Sequence, residues 1–314
     1  MSTKKELVVM VSGGMDSLVL SDWYPEATLV MVDYGQPYFE LEYAARKALF
    51  PTRETHLVKI EGIAPIQTGD YYVPARNLML AICGAHYGNT IYFGALEDDH
   101  AKDKTPEAFL AMSRILTDQC KYEVTVDSPL WKYNKAEMVA EYLSRGGSAH
   151  RLTLTNSCYE GIDKQCQDCP ACFRWSVALR ANGIDVFLPG KNVTQYYLGR
   201  LHLYEDIRVW STLKAISTPD SPVIICDIDG VLTNETEGHS YAERSPNLKQ
   251  VRELNQLAKE GAWIVLYSSR REIDRQVTKE WLRRERVFYH ALLLEKPPCS
   301  RWIDDQAEVS LSPF

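Results

Sequence analysis

The run Leu7-Val8-Val9-Met10-Val11 passes directly into Ser12-Gly13-Gly14-Met15-Asp16-Ser17, and this junction limits the fold more than any other stretch of the chain. A β-branched run forms a buried strand, and two glycines let the chain turn tightly with its backbone open to close approach. A helix starting near Asp16 would aim its free N–H groups and the positive end of its dipole at that turn, which makes the turn a place for phosphate. It lacks the lysine of G-x-x-x-x-G-K-[ST], so it is not a Walker A loop. A plain structural turn is the competing reading, and the neighbouring motifs bear on the choice.

From residue 7 to about 200, strand-like runs at 28–32, 57–60, 90–93 and 123–126 alternate with amphipathic helical patterns at 40–49, 78–87, 107–117 and 135–145. This alternation predicts an α/β domain with a parallel sheet over residues 1–215, with ligands at the carboxyl ends of the strands. Residues 216–222, Ile-Ser-Thr-Pro-Asp-Ser-Pro, read as a linker. Alternation then restarts over 223–314: strand 223–228, helix 247–260, strand 263–267, helix 271–285 and a short strand at Trp302-Ile303. With 314 residues, each domain can bury its own core.

The net charge of −7 is spread evenly, with 22 basic against 26 acidic residues up to Lys214 and 13 against 16 beyond it. Neither half has the basic excess of a nucleic-acid binder. The first apolar run has only five residues and no stretch reaches 18, so neither a signal peptide nor a membrane span is expected. A cytoplasmic protein with reduced thiols follows, without direct nucleic-acid or membrane partners. Its eight cysteines then need a reason other than disulfides.

Three polar motifs follow predicted strands or open predicted helices: Asp33-Tyr34-Gly35-Gln36, Tyr72-Val73-Pro74-Ala75-Arg76-Asn77, and Ser128-Pro129-Leu130 with Asn134-Lys135-Ala136-Glu137. A cation at a helix entrance suits phosphate oxygens, because departing pyrophosphate needs its charge neutralised. On spacing alone, Arg76 as a surface ion pair and Lys135 as a solvated lysine are equal alternatives. Cys158, Cys166, Cys169 and Cys172, spaced C-x7-C-x2-C-x2-C, can surround one tetrahedral Zn²⁺. A buried cysteine cluster or an iron–sulfur site are the alternatives. Four thiolates close the zinc shell, so such a metal fixes the fold and activates no water. Cys83, Cys120, Cys226 and Cys299 read as buried small apolar residues.

Together, SGGMDS, VDYGQ, YVPARN, SPL…NKAE and the cysteine set resemble the QueC (7-cyano-7-deazaguanine synthase) family over about residues 5–180. These are PP-loop ATP pyrophosphatases, which split ATP between the α- and β-phosphates. The resemblance implies adenylation of the carboxylate of 7-carboxy-7-deazaguanine, then displacement of AMP by ammonia, then dehydration of the amide to a nitrile. It implies that Ser12, Gly13, Gly14, Asp16 and Ser17 hold the triphosphate of ATP, with Arg76 and Lys135 as charge partners. One departure stands out. Where the synthases carry Ser-Gly-Tyr-Pro-Asp-Cys-Arg, residues 98–107 here are shorter and keep neither the cysteine nor the arginine. QueC-like proteins of anti-phage operons, including type IV CBASS, resemble this departure and are thought to join the acid to a protein amine. The resemblance also leaves a homodimer open.

In the second region Asp227-Ile228-Asp229-Gly230 follows a strand, Ser268 ends another, Lys296 precedes two prolines and Ile303-Asp304-Asp305 ends a third. The series resembles the haloacid dehalogenase (HAD) superfamily across about residues 222–312, a small Rossmann-like fold. The resemblance implies that Asp227 accepts the phosphoryl group and Asp229 is the acid/base. It further implies that Ser268 and Lys296 bind phosphoryl oxygens, and that Asp227, Asp229 and Asp304 hold Mg²⁺. The arginines between 270 and 286 interleave with acids and read as a solvated helix face. A ligase with an attached phosphatase is therefore expected. The competing readings are a nucleotide-binding module on a phosphatase that is the sole enzyme, and a docking protein for operon partners.

Overall fold

The computed structural model describes residues 6–61, 73–99, 101–161, 164–204, 206–234 and 240–296. The chain forms two compact units. The first runs through Tyr196 and takes in Asp206–Ile216; the second holds Tyr197–Glu205 and the chain from Ser217 on.

In the first unit β1 (Leu7–Met10), α1 (Met15–Trp23), β2 (Thr28–Asp33), α2 (Phe39–Leu49), β3 (Thr55–Lys59), α3 (Arg76–Ala85), β4 (Thr90–Tyr92), α4 (Pro106–Gln119) and β5 (Thr125–Asp127) alternate strictly. The five strands are parallel, in the order β3-β2-β1-β4-β5. Helices α5 (Lys135–Ser144), α6 (Ala149–Thr153), α7 (Pro170–Ala181), α8 (Lys191–Leu198) and α9 (Asp206–Ile216) complete the run.

Strand periodicity explains why the sheet is covered on both faces. Val9 and Val11 join one core cluster with Leu18, Leu29, Met31 and Trp175, while Val8 and Met10 join another with Val30, Val32, Ile91 and Phe109. Burial of such aliphatic side chains contributes about 1.5–3 kcal/mol each. The strand order reverses between β1 and β4. A crevice therefore opens at their carboxyl ends, where the glycine turn lies.

Helix starts follow the capping chemistry of the sequence. Asn134 Oδ1 accepts from Ala136 and Glu137 N–H while Glu137 reaches back to the Asn134 N–H, a complete capping box for α5. Thr105 caps α4 with Pro106 in its first turn, and Cys169 caps α7 with Pro170 in its first turn.

In the second unit β6 (Val223–Cys226), β7 (Trp263–Tyr267) and β8 (Ala291–Leu293) form a parallel sheet in that order, with α10 (Leu248–Lys259) and α11 (Arg275–Arg284). Ile228, Val251, Leu254, Ile264, Leu266, Trp281 and Leu292 make its core. Residues 218–221 of the expected linker close a small turn, with Thr218 and Ser221 exchanging N–H···O bonds of 3.2 Å. The expected strand at Trp302-Ile303 lies outside the described residues. No described helix is long and apolar enough to cross a membrane.

Candidate functional site

A cavity of about 210 Å³ lies at the strand ends of the first unit. Four helices begin at its wall, since Met15, Arg76, Lys135 and Ala171, from the first turns of α1, α3, α5 and α7, all line it. Helix starts carry a partial positive charge, and those of α1 and α3 have no side-chain cap, so these ends suit an anion.

The glycine turn forms one side. Gly13 has φ +71°, and a Cβ there would clash with the Glu42 carbonyl oxygen. Its own carbonyl accepts from Asn156 N at 3.0 Å, which ties the turn to the loop before the cysteines. Gly14 caps α1. Ser17 Oγ donates to the Gly14 carbonyl at 2.9 Å and accepts from Ser12 N at 3.4 Å. Gly94, just past β4, packs so closely on Asp16 that a Cβ would overlap the Asp16 side chain. Of the residues expected at the triphosphate, Ser12, Gly14, Asp16 and Ser17 line the cavity, as do Arg76 and Lys135, whereas Gly13 is packed against α2 and does not line it. Lys135 Nζ sits 2.6 Å from Asp16 Oδ1.

Two further cations were not legible as site residues. Lys104 comes from the shortened segment and lies 2.6 Å from Asp99, and Arg174 from α7 reaches Asp99 at 3.1 Å and Asp98 at 3.2 Å. Burial works to raise the Asp99 carboxyl, but Lys104, Arg174 and Lys135 hold it well below the usual carboxylate range. Burial likewise works to lower the Lys104 ammonium, and Asp99 and Asp16 keep it above its ordinary value. Arg174 had one sequence signal: it follows the last cysteine by two residues, so whatever fixes Cys172 also fixes the start of α7.

Tyr34, Gln36, Tyr38, Glu42 and Tyr159 also line the cavity, and Arg76 interacts with the three tyrosines and with Glu42. Tyr34 Oη and Tyr38 Oη are 3.2 Å apart, and Tyr38 and Tyr159 pack with ring centroids 5.1 Å apart. Burial pushes both the Tyr34 and Tyr38 hydroxyls above their ordinary range.

The sulfurs of Cys158, Cys166, Cys169 and Cys172 all lie within 4.8 Å of one another, with Cys166 and Cys172 at 3.9 Å. Tetrahedral Zn–S bonds of about 2.3 Å put sulfurs roughly 3.8 Å apart, so the set fits zinc. Backbone N–H groups of Gly161 and Cys166 donate to Cys158 Sγ at 3.1 and 3.2 Å, and that of Cys172 to Cys169 Sγ at 3.4 Å, as suits thiolate. Of the remaining cysteines Cys83 is buried, but Cys120 and Cys226 are only half-buried. Cys120 ends α4, and Cys226 donates its S–H to the Asp227 carbonyl. Cys299 lies outside the described residues.

In the second unit Asp227 follows β6, Ser268 follows β7 and Lys296 comes after β8. Lys296 Nζ is 2.7 Å from Asp227 Oδ2, and its N–H donates to the Ser268 carbonyl at 3.0 Å. Asp229 takes different partners. Arg270 grips both its oxygens, at 2.8 Å from Nε and 2.6 Å from Nη2, and Arg244 also pairs with it. Arg270 is 1% exposed, so the expected solvated face does not include it: it turns inward because Asp229 and Thr278 supply its hydrogen bonds. Neither arginine is legible as a site residue from the sequence, since nothing in the charge pattern separates a buried arginine from its solvated neighbours. Asp304 lies outside the described residues.

A family model described as "Queuosine biosynthesis protein QueC" matches residues 52–183. The 7-cyano-7-deazaguanine synthase 2 of Desulfitobacterium hafniense is 30% identical over 203 residues, covering 54% of this chain and 85% of that protein. The chain belongs to the QueC family. Within this QueC relationship, the 7-cyano-7-deazaguanine synthase of Pseudoalteromonas atlantica is 27% identical over 54% of this chain and 90% of its own length. That of Thermoplasma acidophilum is 28% identical over 54% and 85%. The QueC model spans Arg76, Asp99, Lys135 and all four cysteines.

Proposed function

We propose that the first unit activates the carboxylate of a 7-deazapurine acid, 7-carboxy-7-deazaguanine, with ATP and hands the acyl group to an amine. The observation that supports this most is one cavity in which the glycine turn and four helix starts meet Arg76, Lys104, Lys135 and Arg174. Such a site offsets the charge of a triphosphate and of departing pyrophosphate. A carboxylate oxygen attacks the α-phosphorus and pyrophosphate leaves. The amine nitrogen then attacks the acyl carbon and expels AMP. The names of the QueC relatives supply the acid. Zinc at the four cysteines holds the loop that carries Asn156 and the start of α7.

The acceptor is ammonia or a protein amine. The latter fits a role in defence alongside operon partners, and the former fits deazaguanine synthesis. A second activity is assigned to the other unit: a HAD-type phosphatase in which Asp227 is the nucleophile, flanked by Lys296 and Ser268, with Asp229 as acid/base. Mg²⁺ held with Asp304 would neutralise the phosphoryl charge there. The Lys296–Asp227 pair favours this reading over an inert scaffold.

Mass spectrometry of the protein with ATP, Mg²⁺ and 7-carboxy-7-deazaguanine, with ammonia or a partner protein present, tests the first proposal. AMP release that requires the acid is the expected result, with a nitrile or amide product or a protein adduct naming the acceptor. AMP release indifferent to the acid overturns the substrate.

A further inference from the structure

Glu42 lies in the cavity wall with no role in the chemistry above. Its carboxyl is set deep in the protein while part of the side chain still faces the cavity. Burial pushes it up to about 7, with the Gln36 amide and Arg76 acting in the opposite sense. Gln36 is itself fixed: its Oε1 accepts from Tyr34 N at 2.9 Å, and its Nε2 donates to Val32 O at 3.2 Å and to Glu42 Oε2 at 3.1 Å. Among the described residues no hydrogen bond to Glu42 Oε1 is formed. A recessed carboxylate with an oxygen to spare costs stability unless a ligand's donors complete it.

We propose that Glu42 selects the base of the acid substrate by accepting two adjacent N–H donors, the ring N–H and the 2-amino group of a 2-amino-4-oxopyrimidine edge. This rests on the reading that the first unit activates a deazaguanine-type acid. The pairing follows from donor and acceptor counts. An ionised carboxylate presents only acceptors, and that edge presents two donors side by side. Adenine offers one donor next to one acceptor, so its ring nitrogen would face a carboxylate lone pair. Tyr34, Tyr38 and Tyr159 line the same cavity and supply aromatic surface for a flat heterocycle. Glu42 is thus a specificity residue, and Gln36 positions it.

The test is calorimetric binding at pH 8 of three ligands to the full chain and to Glu42→Gln: the acid, the same acid lacking its 2-amino group, and a non-hydrolysable ATP analogue. Wild type is expected to prefer the acid with the amino group by about 30-fold, the scale of a lost hydrogen bond to a charged group. Glu42→Gln should erase that preference and leave the ATP analogue within about twofold of wild type. A change confined to the ATP analogue overturns the inference and assigns Glu42 to adenine. Equal weakening of both acids also overturns it, as a structural effect. The comparison of the two acids on wild type needs no variant, so misfolding of Glu42→Gln does not decide the matter. Wild type that releases AMP with the acid yet binds both acids alike sinks this inference alone. Wild type indifferent to the acid sinks the activity reading as well.

Discussion

Lys135 Nζ stands 2.6 Å from Asp16 Oδ1, joining the first turn of α5 to the first turn of α1. Both side chains are mostly covered, at 13% and 19% exposure, so solvent screens the pair less than a surface ion pair. The lysine is held beside the glycine turn by a partner that belongs to the turn's own helix. Lys135→Met should lower acid-dependent AMP formation by about 100-fold or more, with Lys135→Arg intermediate, because a point charge aimed at phosphate is lost. Steady-state AMP assays on folded variants check this. Wild-type turnover in Lys135→Met would remove Lys135 from the site.

Gly13 combines φ +71° with backbone packed against α2. Gly13→Ala forces a side chain into a left-handed conformation and against the Glu42 carbonyl at once. The turn must shift and Asn156 N loses its acceptor. Affinity for a non-hydrolysable ATP analogue should fall by tenfold or more, and the thermal midpoint should drop by several degrees, about 1–3 kcal/mol. Calorimetric titration and thermal melts read both.

Much of this site was legible because local chemistry specified it. Gly13-Gly14 after a β-branched strand, Asn134 with Glu137, and Cys169-Pro170 each state a turn or a helix start in a few adjacent residues. The alternation of runs likewise gave the parallel sheet, with strand boundaries matching or shifted by at most two residues, while α11 starts four residues later than expected. What stayed hidden depends on residues far apart in sequence. Arg174 and Asp99 meet across 75 positions, and Arg270 and Asp229 across 41. Their burial follows from tertiary packing and leaves no local periodicity. The short helices α6 and α8 and strand β8 are too brief for a period to show, and the longer α7 and α9 were not read from the sequence either.

The four cysteines should carry one zinc per chain by elemental analysis. Because Cys169 also caps α7 and Cys158 receives two backbone N–H groups, a metal bound there would fix both the Asn156 loop and Arg174. Stripping zinc with a chelator, or Cys172→Ser, should lower the thermal midpoint by more than about 10 °C, since structural zinc contributes on the order of 10 kcal/mol of apparent binding energy. A chain that melts identically with and without zinc would show the cluster to be unimportant for folding.

Glu42 gives a pH signature with a defined sign. Burial raises its carboxyl from 4.5 to about 7, so between those values the native state binds more protons than the unfolded chain. Its contribution is fully present below pH 4.5 and is lost as pH rises through 7. Glu42→Gln removes this penalty. The variant should match wild type near pH 5 and exceed it by about 1–3 kcal/mol at pH 8 in urea unfolding without ligand. A gap that stays constant between those pH values would contradict the assigned burial.

In the second unit Arg270, with a side chain at 0% exposure, holds Asp229 through two nitrogens and Thr278 Oγ1 through a third at 3.1 Å. Tyr241 lies over the same guanidinium, 4.2 Å from ring centroid to Cζ. Lysine keeps the charge but has no planar fork, so Arg270→Lys frees the Asp229 carboxylate to rotate and leaves Thr278 without that bond. If Asp229 exchanges protons with a leaving group, its orientation matters to turnover more than to binding. Arg270→Lys should therefore cut kcat for p-nitrophenyl phosphate by about tenfold or more with little change in KM, and cost about 2–4 kcal/mol in stability. Asp227→Asn should abolish that turnover and leave acid-dependent AMP release intact. Phosphatase activity that survives Asp227→Asn would show that its nucleophile lies elsewhere.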